Sequence, residues 1–157
     1  MRLYLGNKMV GKDGLNSGWF DAAAAKLRSM GHEVFNPAEH DRKTGFEPKD
    51  FKGRTFEDLA ASGFDRRAAL LADWTWIGLH SEGMVAGPDW MNSPGTLSEI
   101  VCHQSIFLPV WEYAVFLNFD GMPAPLPDLA LPPIMELGGS KPQSFVFQEE
   151  ALGQGEF

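Results

Sequence analysis

An α/β fold built on a parallel sheet follows from three features of the N-terminal stretch. A short apolar segment, Arg2 to Leu5, ends at Gly6 and reads as a buried strand. Phe20, Ala23, Ala24, Leu27 and Met30 then recur at helical spacing ahead of a stop at Gly31. His32 to Phe35 forms a second short strand, closed by Asn36-Pro37. Strand, glycine loop, helix and strand in that order make a βαβ unit, whose crossover is right-handed and whose strands pair in parallel.

The remaining elements follow in order. Gly11 and Gly14 lie in the connection after the first strand, and Asn16 or Ser17 caps the first helix, which runs from Gly18 to Met30. Residues 36–53 are polar and turn-rich, with Asp41-Arg42, Gly45 and Pro48, and read as a long surface loop of the kind that is often functional. A short helix from Phe56 to Ala61 precedes a longer one from Asp65 to Leu79. Met84 to Ala86 is a third strand, Ser93-Pro94-Gly95 opens a helix that ends near Ser105, and Val110 to Phe116 supplies a fourth strand or more. Six of the eleven prolines lie between Pro123 and Pro142, a density no helix survives. The chain therefore divides into an α/β domain over residues 1–119 and an extended tail over 120–157, with Phe145-Val146-Phe147 as the part of the tail pinned by burial.

Composition narrows the function classes. The 157 residues suit one domain, and a chain of that size buries about 68–70% of its unfolded surface without needing a staple. No apolar run approaches the ~18 residues of a membrane span, and MRLYLGNKM lacks the pattern of a secretory leader, so the expectation is a soluble, cytoplasmic protein. A single cysteine, Cys102, excludes an internal disulfide and a Cys-based zinc site, and at its helix position reads as an inert thiol. His32, His40, His80 and His103 show no paired ligand spacing, so neither a metal nor a cofactor is expected. Thirteen basic against twenty-one acidic residues give a net charge of −8, which repels duplex nucleic acid and anionic membranes but leaves room for a small anion held by backbone amides.

Three places can carry chemistry. Gly6-Asn7-Lys8-Met9-Val10-Gly11-Lys12 follows a strand and fits the G-x-x-x-x-G-K part of a P-loop, but Asp13 stands where Ser or Thr should hold magnesium. A glycine turn and a ligand loop of another kind are the alternatives for this segment. The second place is 68–79, where Asp73 is the one charge among twelve residues and is flanked by Trp74 and Trp76. A lone carboxylate there either faces solvent or sits at a pocket with a raised pKa. The third is Ser93-Pro94-Gly95-Thr96-Leu97-Ser98-Glu99. Ser93 suits the N-cap, Pro94 the first helical position, and Gly95 lets a ligand approach the backbone. That helix start lies at the carboxyl edge of the sheet, where open α/β folds bind ligands, and Glu99 lies further along it. Asp41 and His40 form a further candidate pair, read as solvated.

Taken together, Tyr4-Leu5-Gly6, Gly31 to Pro37, Asp73 to Ile77, Glu82 to Val85 and Gly95 to Glu99 resemble the nucleoside 2-deoxyribosyltransferase-like superfamily over residues 2–115. The superfamily includes deoxyribosyltransferases and 2′-deoxynucleoside 5′-monophosphate N-hydrolases. The resemblance implies a flavodoxin-like sandwich with about five parallel strands and at least a homodimer whose sites a neighbour helps complete. It implies that Glu99 is the nucleophile, that Asp73 contacts the sugar or base and assists base departure, and that Tyr4 lies near the pocket. Ser93 matches the position where the hydrolases hold the 5′-phosphate with Ser and the transferases tend to carry Asp. Lys8 stands in the glycine loop where the hydrolases usually carry Arg, and Gly6, Gly95 and Thr96 complete the expected binding set.

The expected activity is thus cleavage of the base–deoxyribose bond of a deoxynucleoside monophosphate through a Glu99 ester, with water or a second base as acceptor. Three other readings remain at this point: a nucleoside deoxyribosyltransferase, a non-catalytic nucleotide-binding module, and a P-loop-type phosphotransferase.

Overall fold

The structure is a computed structural model that describes residues 1–118 and 121–129. Four strands, β1 (Arg2–Gly6), β2 (Glu33–Phe35), β3 (Gly83–Ala86) and β4 (Val110–Glu112), form one sheet in the order β2-β1-β3-β4, with every pair parallel. That is the flavodoxin-like order as far as its fourth strand. Six α-helices are described: α1 (Ser17–Ser29), α2 (Pro37–Lys43), α3 (Phe56–Ala61), α4 (Arg66–His80), α5 (Pro94–Ser105) and α6 (Tyr113–Asn118).

Strand periodicity decides which side chains meet which helices. On β1, Leu3 and Leu5 point to one face and pack with Phe20, Ala23, Ala24 and Leu27 of α1 and Phe116 of α6. Tyr4 points to the other face and packs with Ile77 of α4, Ile100 of α5, and Met84 and Ala86 of β3. The result is three layers with a core on each side of the sheet. A third cluster, Leu15, Phe51 and Leu59 with Phe46 and Phe64 against it, joins the segments between β2 and α4 to the loop after β1.

Two expectations need correcting. The sheet has four strands among the described residues, and β4 is shorter than expected, because the chain leaves it after Glu112 and coils into α6 instead of staying extended to Phe116. The stretch 36–53 is not simply a loop. Asn36 caps α2 by accepting from the Ala38 and Glu39 amides, and Pro37 takes the first helical position, where its missing N–H costs nothing. A 3₁₀ turn, Pro48–Asp50, follows.

Of the tail, residues 121–129 lie along β4 and α5. The Leu126 amide donates to the Val110 carbonyl at 2.6 Å, the Trp111 indole donates to the Pro123 carbonyl at 2.9 Å, and the Gln104 amide group bonds the backbone at Pro127 and Leu129. Phe145-Val146-Phe147 lies outside the described residues. No helix among the described residues is long and apolar enough to cross a membrane.

Candidate active site

The carboxyl ends of β1 and β3 flank the point where strand order reverses, the usual ligand crevice of an open parallel sheet. A cleft of about 380 Å³ opens there. Its floor carries Asp73 from α4 and Glu99 from α5. The loop after β1 lines one part with Asn7 and Lys8, and the start of α5 lines another with Ser93, Gly95 and Thr96. The outer wall comes from α2, α3 and the start of α4, with Asp41, Phe64 and Arg66 among its residues. Asn7 ties the two strand ends together, since its side-chain oxygen accepts from the Asp89 amide at 3.1 Å while Gly87 N–H donates to the Gly6 carbonyl at 2.7 Å.

Asp73 is 8% exposed and Glu99 7%, and neither has a salt-bridge partner among the described residues. Burial, reinforced by the neighbouring Glu99 and Asp41 charges, pushes the Asp73 carboxyl up to about 8. Burial raises Glu99 to about 7. The site therefore holds two neighbouring carboxyls whose proton affinity burial has raised into the neutral range. Tyr4 lies beneath them, fully buried and stacked on Phe35 with ring centroids 5.4 Å apart. Burial and the two carboxyls raise its pKa, and its hydroxyl has no partner in hydrogen-bond geometry among the described residues.

His103, one turn beyond Glu99, shows what a structural ionisable group looks like on the same helix. It is fully buried, its Nδ1 lies 2.8 Å from the Glu99 carbonyl and its Nε2 2.9 Å from Ser81 Oγ. Burial lowers its pKa to about 4, so it is neutral. The carbonyl can only accept, which makes Nδ1 the donor and leaves Nε2 to accept from Ser81. Glu99 has no such closed set of partners and faces the cleft.

At the start of α5, Ser93 Oγ accepts from the Thr96 amide at 3.3 Å and from Thr96 Oγ1 at 2.9 Å. The Thr96 N–H is thereby committed to the cap, and the Ser93 hydroxyl proton and the Gly95 N–H are the donors left to face a ligand. A Cβ placed on Gly95 would meet only Ser93 Oγ, at 3.9 Å, so the backbone there is open to approach. Gly6 is more crowded: a Cβ on it would displace the flexible end of Met84 and press on Glu99 Oε2 at 3.1 Å.

The glycine loop does not have P-loop geometry. A left-handed turn through Gly14, Leu15 and Asn16 separates it from α1, which starts only at Ser17. The Lys12 ammonium is paired with Asp89 at 2.8 Å instead of facing a phosphate position.

With this geometry in view, comparison with known proteins adds one result. The family model described as a domain of unknown function, DUF4406, matches residues 1–112. The chain belongs to the DUF4406 family. No curated protein and no solved structure matches it.

In this DUF4406 domain the sequence candidates fall into two groups. Lys8, Asp73, Ser93, Gly95, Thr96 and Glu99 share the cleft, whereas Tyr4 and Gly6 lie behind it. Trp74 and Trp76 do not line it: Trp74 is exposed and Trp76 packs on Tyr4 and Phe35. Asp41, read as solvated, is instead 5% exposed and faces the cleft, because it falls one turn after Ala38 on the buried side of α2. Arg54 and Arg66 at the rim were not singled out by the sequence. Arg54 is paired with Asp13, and Arg66 lies over the Phe56 ring at 4.6 Å. The signal for Asp41 was present in Asn36-Pro37, a cap followed by a first-turn proline, which announces a helix rather than the end of a strand. Among the described residues, no group of three or more His, Cys, Asp or Glu side chains is arranged to hold a metal ion.

Proposed function

We propose that the protein is an N-glycosidase of 2′-deoxynucleoside 5′-monophosphates, related to the nucleoside 2-deoxyribosyltransferase-like superfamily. The observation that carries the reading is the joint burial of Asp73 and Glu99 in one cleft with their pKa values raised to about 8 and about 7. Ionised Glu99 attacks the anomeric carbon as the base departs, and protonated Asp73 donates a hydrogen bond or its proton to the leaving base. Water then attacks the anomeric carbon of the deoxyribosyl ester, giving its proton to Asp73 where Asp73 has protonated the base and otherwise to the departed base anion, and the C–O bond to Glu99 breaks to release deoxyribose 5-phosphate and the Glu99 carboxylate. If a second base takes the place of water, the same ester leads to a transferase.

Recognition of the 5′-phosphate is assigned to the Ser93 hydroxyl, the free Gly95 amide and the Lys8 ammonium, with the positive end of the α5 dipole behind them. Support comes from their shared position on the cleft and the absence of an acidic side chain at 93. A homo-oligomer belongs to the same proposal, and the exposed Leu71, Trp74 and Leu79 on the outer side of α4 support it.

The deciding experiment is incubation with a panel of deoxynucleosides and their monophosphates, read by release of free base. Release from monophosphates is expected, falling by about 10⁴-fold or more in Glu99→Ala with the thermal transition retained. Full activity in that variant, or tight binding without any release by the unmodified protein, would overturn the proposal.

A further inference from the structure

We infer that Asp41 is the residue that selects the base, and that it favours a heterocycle with an exocyclic amine beside a ring nitrogen, as in cytosine, adenine and guanine, over thymine, which has none. The inference rests on the glycosidase reading for its substrate class, but on different residues for its support.

Asp41 is the third carboxyl of the cleft, contributed by the outer wall. Its side chain is 5% exposed and has no hydrogen-bond or salt-bridge partner among the described residues. The adjacent Arg42 does not serve it, because that guanidinium is held by Asp21 at 2.6 Å. The carboxyl faces the cleft with no protein group to complete it among the described residues, and a ligand bound there would supply the partner. The carboxyl borders both the main cleft and an adjoining cavity of about 390 Å³. Phe64 and Ala69 line both spaces beside it, and Leu59 and Pro37 line the cleft. Phe64, Leu59 and Pro37 offer contact area to a flat heterocycle beside Asp41, and the carboxyl can orient it.

The chemistry of the edge follows from the surroundings. Burial raises the Asp41 carboxyl to about 7, so both its forms are present near neutrality. An exocyclic amine donates to either form, and the protonated form returns a hydrogen bond to the ring nitrogen. A ring carbonyl in the amine's place meets a lone pair whenever Asp41 is ionised.

The test is binding of the four common deoxynucleoside monophosphates to the full-length Glu99→Ala protein, where turnover is removed, with and without Asp41→Ala or Asp41→Asn. The parent is expected to bind the cytosine or adenine nucleotide about tenfold more tightly than the thymine nucleotide. Asp41→Ala should weaken the preferred nucleotide about 30-fold and erase the preference. Asp41→Asn, which keeps a donor and an acceptor at the same place, should stay within about threefold of the parent. A thermal melt of each variant separates loss of recognition from loss of fold. A parent with no preference, or a preference that survives Asp41→Ala, overturns the assignment. Base release by the unmodified protein is read separately. Release with selectivity unaffected by Asp41→Ala keeps the glycosidase and removes Asp41, whereas selectivity lost in Asp41→Ala without any release keeps Asp41 and removes the glycosidase.

Discussion

The two walls of the cleft are built in opposite ways. The inner wall hangs on the sheet: Asp73 and Glu99 project from helices of fifteen and twelve residues that pack on the Tyr4 face of β1 and β3. The outer wall is made of α2 and α3, seven and six residues long, with a 3₁₀ turn between them, and is held by the small Leu15–Phe51–Leu59 cluster. Reacting groups placed on long, packed helices are fixed closely, as group-transfer chemistry demands. Short capped helices around a small core can be rebuilt at lower energetic cost, which suits a surface that chooses among similar ligands.

If that division is right, substitutions on the inner wall change rate and those on the outer wall change affinity. The largest effect after loss of Glu99 is expected for Asp73→Asn, a fall of about 10²–10⁴-fold in kcat for base release. The parent profile should be bell-shaped, rising as Glu99 ionises near 7 and falling as Asp73 loses its proton near 8, and Asp73→Asn should remove the falling limb. An unchanged alkaline limb would take the acid role away from Asp73.

Next in size is Ser93→Ala, expected to lower kcat/KM for the monophosphate at least tenfold more than for the nucleoside, with a cap loss of about 1 kcal/mol visible in denaturation. Equal losses on both substrates would leave Ser93 as a cap alone.

On the outer wall, Asn36→Ala removes the acceptor for the Ala38 and Glu39 amides and should cost about 1–2 kcal/mol. Because α2 carries Asp41, KM should rise while kcat changes by less than about threefold. A selective fall in kcat would erase the distinction between the walls.

The smallest effect concerns stability. Glu99 has a folded-state pKa near 7 against an ordinary value of 4.5, so the native state binds the proton more tightly than the unfolded chain. Its contribution therefore weakens as pH rises from about 4.5 to about 7 and is fully lost above. Glu99→Gln should be more stable than the parent by roughly 1–3 kcal/mol at pH 8, with the gap closing by pH 4. Thermal melts at the two pH values measure it.

The same contrast explains what was legible in the sequence. The elements of the inner wall could be read because their signals are periodic and local, whereas the meeting of Asp73 and Glu99 in one cleft is expected from the resemblance, since Asp73 alone reads equally as a solvent-facing carboxylate. An apolar strand ends at Gly6, Asp73 is the lone charge in a helical stretch, and the Ser93-Pro94 cap fixes where Glu99 falls in its helix. The outer wall was harder because its helices are too short to establish a period and their residues are polar. Asn36-Pro37 reads as the end of β2 but begins α2, and that one difference moves Asp41 from solvent to the cleft. The fourth strand was overextended because Tyr113 to Phe116 is as apolar as a strand, and only its packing beside β4 as α6 distinguishes the two. That Gly6 makes room for Met84 and Glu99 is a fact of three-dimensional neighbours that no local pattern carries.

The Leu126–Val110 bond has a practical consequence for anyone shortening the chain. Left bare, the outer side of β4 would offer an open backbone donor and acceptor row to any extended peptide, including the same strand of another molecule. Residues 121–129 meet that row at Val110 and shelter Trp111, so a version cut at 118 should self-associate more readily through β4 even though every helix around the cleft is intact.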